Sequence, residues 1–250
     1  MKKILLTGLF LVFFFAFIKA QIKDSSINLL KCEVNYSFHM PSGDMADRFG
    51  LSSTIGIGFE NKFKSNWTLG VEFNYIFGGN IKDSTSMLTG LMTESGYIIN
   101  KYGEYGTFLL SERGFYGGAK IGKLIPVWGP NKNSGIIVNV GAGLLQHQIR
   151  IENKDNNTPP ILGDYKKGYD RLSNGLCLRE FIGYQYLDNK GLINFYFGIE
   201  FYQAWTKCRR DYNFDTMQRD DTERKDYLSG IRIGWILPLY RKAPNKYYYY

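Results

Sequence analysis

Five stretches of this 250-residue chain alternate apolar and polar positions with a period of two. Cys32, Val34, Tyr36, Phe38 and Met40 alternate with Glu33, Asn35, Ser37 and His39. Ser53, Ile55, Ile57 and Phe59 alternate with Thr54, Gly56, Gly58 and Glu60. Trp67, Leu69, Val71, Phe73, Tyr75 and Phe77 form a third apolar set, and Ile193, Phe195, Phe197, Ile199 and Phe201 a fourth. The fifth is Ile231, Ile233, Trp235, Leu237 and Leu239. Successive side chains of a strand point to opposite faces, so each stretch is a strand with one apolar and one polar face. Three less regular stretches complete the set, around Phe115–Ile125, Ile136–Leu144 and Leu176–Tyr186, with Glu180 intruding on the last apolar face.

The pattern predicts eight strands, over 27–40, 51–63, 66–77, 114–127, 135–151, 176–187, 191–205 and 227–240. All are much longer than the roughly 5–6 residues of a soluble strand and long enough for the roughly 9–11 of a tilted membrane strand. Short Gly-, Asn- and Asp-rich turns near 62–66, 130–135 and 187–191 alternate with long polar connections over 41–50, 78–113, 152–175 and 206–226. Without crossover helices the strands pair antiparallel. Eight of them close into a barrel with no free edge. The large side chains fall on one face, and Gly, Asn, Thr and isolated charges on the other. A narrow lumen suits the second set, and a bilayer suits the first. A secreted barrel or sandwich packed around the large apolar groups is the competing reading.

The N-terminus adds direction. Met1-Lys2-Lys3 precedes Ile4–Ile18, which carries no charge, and Lys19-Ala20-Gln21 follows. This is the secretory signal pattern, with cleavage expected after Ala20. It divides the chain into a signal peptide, 1–20, and a barrel domain, 21–250. The fifteen-residue run is shorter than the roughly 20 residues of a spanning helix. The formal net charge is +8, but without Lys2, Lys3 and Lys19 there remain 28 basic against 23 acidic side chains, a net of +5. Six basic and six acidic residues interleave between Lys207 and Asp226. Such a segment has no net field, so nucleic acid is not an expected partner.

The pattern resembles the small outer-membrane β-barrels of Gram-negative bacteria, the group around outer membrane proteins A and X, and more specifically those of Bacteroidota. The resemblance rests on the signal ending Lys19-Ala20-Gln21, on Phe115-Tyr116-Gly117-Gly118-Ala119-Lys120-Ile121-Gly122, and on Gly230-Ile231-Arg232-Ile233-Gly234-Trp235. It implies an outer-membrane location, with the bilayer and lipopolysaccharide as partners and other envelope proteins reached through loops 78–113, 152–175 and 206–226. It fixes no activity. Insertion into the membrane would use Leu239-Tyr240 or the terminal Tyr247–Tyr250.

The polar face carries Glu33, Glu60, Glu72, Lys120, Arg179, Glu200 and Arg232. Inside a narrow barrel such charges must pair or stay hydrated. Glu72, Lys120, Arg179, Glu200 and Arg232 are the expected interior cluster. If Trp205 faces Tyr227, paired positions sum to 432, and Glu200 lies opposite Arg232 as an ion pair. The cluster reads as a plug or as a selective pore.

Catalytic signals are weak. The only histidines, His39 and His147, have no adjacent Ser and read as rim residues. No Cys-x-x-Cys spacing occurs, and a Cys177–Cys208 bridge stays open. Asp215, Asp220, Asp221 and Glu223 lack calcium-loop spacing. Gly56-Ile57-Gly58 and Gly141-Ala142-Gly143 read as strand glycines that relieve crowding. Met87, Leu88, Leu91 and Met92 predict a short amphipathic helix within Ser84–Glu94, and a hairpin over 96–110 would make ten strands if it entered the wall. The expectation is a non-catalytic, cofactor-free barrel with a structural, anchoring or complex-subunit role. A small-solute channel is the alternative, ahead of a lipid-modifying enzyme.

Overall fold

The computed structural model describes residues 25–82, 87–153, 157–189 and 193–239. The expected signal peptide with Ala20 and the tail from Tyr240 lie outside the described residues. The barrel strands are β1 (Leu29–Gly43), β2 (Ser52–Lys62), β3 (Trp67–Gly78), β6 (Phe108–Ile125), β7 (Gly135–Asn153), β8 (Ser173–Leu187), β9 (Asn194–Cys208) and β10 (Glu223–Leu239). They form one closed antiparallel barrel in the order β1-β10-β9-β8-β7-β6-β3-β2, and β1 seals it by pairing with both β10 and β2. Leu30 lies opposite Leu239, so both strand ends sit with the short connections, at the turn end. The long connections gather at the other end, the loop end.

The eight-strand reading holds, and the ten-strand alternative does not. Two further strands, β4 (Ile98–Ile99) and β5 (Tyr105–Gly106), pair only with each other. The segment from Phe108 belongs to β6, because Phe108–Ser111 extends the ladder with Arg150–Asn153 of β7. Strands β6, β8, β9 and β10 run several residues further into the loop end than the hydrophobic pattern indicated. The loop ends of β8, β9 and β10 are polar, whereas β6 begins Phe108-Leu109-Leu110, and in each the backbone ladder continues beyond the regular apolar alternation.

The pleat sorts the side chains as the pattern requires. Ile231 is 67% exposed on the outer wall, and its neighbour Arg232 is fully buried inside. Val34, Phe59, Phe73, Ile121, Val140, Ile182 and Phe197 also face outward. The molecule is therefore inverted relative to a soluble domain: large apolar groups cover the surface, and most of the buried charge lies in the middle.

Among the described residues the buried apolar groups form two clusters. At the turn end Leu29, Leu124, Ile137, Phe181, Leu187, Tyr196 and Ile236 pack together. At the loop end a larger cluster combines barrel residues such as Ile76, Leu145, Ile149 and Leu228 with connection residues. The latter include Met45 of α1 (Met45–Arg48), Phe49, Met87, Leu88 and Ile161. Met87 and Leu88 of the expected amphipathic segment are fully buried here, and a 3₁₀ turn follows at Thr89–Leu91. Residues 83–86 of that segment lie outside the described residues.

Glycine matters where strands must admit large inward groups. A Cβ on Gly143 would lie 2.1 Å from the carbonyl oxygen of Gly117, and one on Gly118 would lie 2.5 Å from the Tyr116 hydroxyl. Gly143 thus allows close approach of the β6 backbone, and Gly118 makes room for the buried Tyr116 ring, which meets Tyr202 edge-on at 5.1 Å.

Candidate functional site

All eight barrel strands contribute to one polar network between the two apolar clusters. Its turn-end tier is built on Lys31 and Lys120. Lys31 Nζ lies 2.5 Å from Glu60 and 3.2 Å from Glu33, and donates to Gln185 Oε1 at 2.6 Å. Lys120 Nζ lies 2.6 Å from Glu33, 3.3 Å from Glu60 and 3.7 Å from Glu72. The loop-end tier is built on two guanidiniums. Arg179 Nε lies 3.1 Å from both Glu72 and Glu200, and Arg179 Nη1 donates to Asn139 of β7 at 2.9 Å. Arg232 Nε lies 2.7 Å from Glu200, Arg232 Nη1 lies 3.2 Å from Glu72, and Nη2 donates to the Tyr202 hydroxyl at 2.9 Å.

The network brings together all five cluster residues expected from the sequence. Four carboxylates, Glu33, Glu60, Glu72 and Glu200, face four cations, Lys31, Lys120, Arg179 and Arg232. That balance lets charge be buried, because each carboxylate finds at least two cationic donors and none stands alone. Arg179–Glu72 and Lys31–Gln185 reach across the lumen, since each joins strands three places apart in the ring. The contacts therefore cross-brace the cylinder as well as fill it.

The register differs from the expectation. Trp205 lies opposite Lys225, and Glu200 opposite Gly230, so paired positions sum to 430. A slip of two residues preserves which face each side chain takes, whereas a slip of one would reverse it. Glu200 and Arg232 therefore become diagonal neighbours across β9 and β10, opposite Gly230 and Gly198. Two long side chains span that diagonal, while Gly198 leaves space for the Phe181 ring and Gly230 for the His39 ring.

The sequence reading missed Lys31, although it shares the inward parity of Glu33. Both histidines also need correction, because each is fully buried inside the barrel and neither sits on the rim. His39 Nε2 lies 2.9 Å from Glu200 Oε1. His147 Nε2 lies 2.8 Å from Asp226 Oδ2, which also accepts from the Thr206 hydroxyl, and Phe49 packs edge-on against the His147 ring. Their neighbours along the strand, Phe38 and Met40 for His39 and Gln146 and Gln148 for His147, gave no sign of these partners, which come from distant strands. His147, Asp226 and Thr206 resemble a base, an acid and a hydroxyl in composition only. The carboxylate sits between the other two, and the loop-end cluster covers all three.

Cys32, Cys177 and Cys208 are free thiols. Cys177 pairs with Ala204 and Cys208 with Ser173, four residues apart along β8. That separation is roughly 13 Å, far beyond disulfide reach. Of the acidic residues in the last loop, Asp215 pairs with Arg171, Asp220 with Arg224, Asp221 with Arg219 and Glu223 with Lys207. Among the described residues no group of His, Cys, Asp and Glu is placed to hold a metal ion.

The long connections knit into a platform over the loop end. Lys101 N donates to Asn157 O, and Phe214 N to Gly168 O, both at 2.9 Å. Arg210 pairs with Asp170. Tyr102, Tyr105, Tyr165 and Met217 stand exposed on it.

No family model matches this chain, and no curated protein matches it in sequence. Solved structures do resemble it. Ail, the attachment invasion locus protein of Yersinia pestis, aligns with a TM-score of 0.45 at 9% identity, over 84% of this chain and 99% of Ail. The outer membrane protein OprG from Pseudomonas aeruginosa aligns at 0.38 and 11% identity, over 86% of this chain and 98% of OprG. The N-terminal β-barrel domain of Pseudomonas aeruginosa OprF aligns at 0.37 and 10%, over 84% and 98%. At these scores the likeness assigns no residue and no role to this chain.

Proposed function

We propose that this chain is an integral outer-membrane barrel with a structural or anchoring role, closed to solutes and without catalytic activity. Its wall sits in the bilayer, and its loop platform is presented outside the cell to envelope partners and lipopolysaccharide. The observation that carries this reading is the inverted build, a predominantly apolar exterior around a filled polar centre. A soluble protein rarely exposes an apolar patch beyond a few hundred Å². A belt around the whole cylinder is the surface a bilayer covers.

The filled lumen favours the structural role over the small-solute channel. The network side chains are at most 5% exposed, and an apolar cluster lies at each end. A conducting path would have to break several ion pairs and both clusters together. The burial of both histidines under the loop-end cluster likewise favours a non-catalytic role over a lipid-modifying enzyme.

The signal would be removed after Ala20 during export, leaving Gln21 as the first residue of the mature protein. The test is reconstitution of purified mature protein into planar bilayers. Insertion without stepwise conductance supports the reading. Reproducible conductance steps restore the channel, and failure to enter lipid at all refutes the membrane assignment.

A further inference from the structure

The outer wall carries one acid where its surroundings are apolar. Glu180 points outward from β8 between Leu178 and Ile182, opposite Val140 of β7 and Phe201 of β9. The amide nitrogen of Gln203, also on the outer wall, lies 3.1 Å from one carboxylate oxygen of Glu180 and 3.4 Å from the other. Trp205 and Tyr227, beside Gln203 toward the loop end, mark the interfacial girdle. Along β8, Glu180 therefore lies two residues deeper in the wall than the level of Tyr227 and four deeper than that of Trp205. An ionisable group in that position is costly unless something at the same depth satisfies it.

Below this pair the wall is hollowed. A groove of about 660 Å³ runs toward the turn end between Val138, Val140, Ile182, Ile199, Phe201 and Ile231. Glu180 and Ser229 stand at its loop-end edge. The polar edge holds more acceptors than donors: the two carboxylate oxygens and the Gln203 carbonyl stand against one amide nitrogen and the Ser229 hydroxyl. Ester-linked phospholipids offer only acceptors at this depth, so they leave the edge unsatisfied. An amide N–H or a hydroxyl near the start of an acyl chain supplies the missing donor, and the rest of that chain fits the apolar groove.

We infer that Glu180, Gln203 and the adjoining groove form a binding site for an outer-leaflet lipid whose acyl chain is amide-linked and hydroxylated close to its carbonyl. The inference rests on the wall facing lipid, as proposed above. The site would give the barrel a fixed boundary lipid, held by hydrogen bonds inside the hydrocarbon.

The test places the mature protein in nanodiscs of ester phospholipid. The discs are doped either with an N-(β-hydroxyacyl) lipid or with an ester-linked, non-hydroxylated analogue of the same headgroup and chain length. Native mass spectrometry after release from the disc counts the lipid retained. The wild type should retain the hydroxylated amide about tenfold more than the analogue, as expected for a charge-assisted hydrogen bond. Glu180→Leu and Gln203→Leu should each abolish most of the preference while leaving the heat-modifiable mobility of the folded barrel intact. Equal retention of the two lipids by the wild type overturns the site, as does a preference unchanged in Glu180→Leu. A dimer cross-linked through this wall also overturns it. Failure to enter the discs defeats the membrane reading itself, whereas entry without preference defeats only this inference.

Discussion

Replacing Arg232 with Met tests whether the interior network is what holds the cylinder together. Arg232 contacts Glu200 at 2.7 Å, Glu72 at 3.2 Å, the Tyr202 hydroxyl at 2.9 Å and Ser37 Oγ at 3.2 Å. Met fills much of the same volume but supplies none of these donors. Arg179 would then be the sole guanidinium for Glu72 and Glu200, and the balance of four against four would become four carboxylates against three cations. Removing one partner from a buried ion pair costs about 3–5 kcal/mol, mostly because the remaining charge is stranded. The double variant Arg232→Met/Glu200→Gln restores neutrality and should return to within about 2 kcal/mol of the wild type. Reversible urea unfolding in lipid vesicles, followed by heat-modifiable mobility, measures both. The single variant should still be silent in planar bilayers, since the apolar clusters at the two ends are untouched. A loss below about 1 kcal/mol, or a double variant no better than the single one, would refute the claim that paired charge braces the lumen.

Other positions test other parts of the argument. Gly143→Ala places a methyl 2.1 Å from the Gly117 carbonyl and should cost at least about 1–3 kcal/mol in the same unfolding assay. On the outer wall, Ile231→Arg should cost about 2–4 kcal/mol and slow insertion, while Ile231→Phe should be near neutral; equal behaviour of the two would contradict a lipid-facing Ile231. In the loop platform, burial opposes ionisation of Asp220, but the Arg224 guanidinium and the Thr222 backbone outweigh it and hold the carboxyl below its ordinary value. Asp220 therefore stabilises the loop above the unfolded aspartate value of about 3.9, and this contribution is lost as pH falls through the lower folded value. Pepsin digestion at stepped acidic pH should cut the 209–222 segment only below about pH 3.9, and Asp220→Asn should remove that pH step.

Much of this protein was legible in its sequence. The two-residue period determines facing, since the pleat turns alternate side chains to opposite sides wherever the strand pairs. The apolar wall, the inward set of Glu72, Lys120, Arg179, Glu200 and Arg232, and the alternation of short turns with long loops all follow from that local rule. The choice between eight and ten strands does not, because only the pairing of Phe108–Ser111 with β7 assigns that segment to β6. Contacts between strands distant in sequence do not follow. The β9–β10 register, the reach of Arg179 across the lumen to Glu72 and the partners of His39 and His147 depend on how far each strand slides before the ring closes. The loop-end cluster depends on it too, because Met45, Phe49 and Leu88 enter the interior only once the barrel has made an opening for them. Facing is a property of single strands and is written residue by residue, whereas partnership belongs to the closed ring and exists only after tertiary folding.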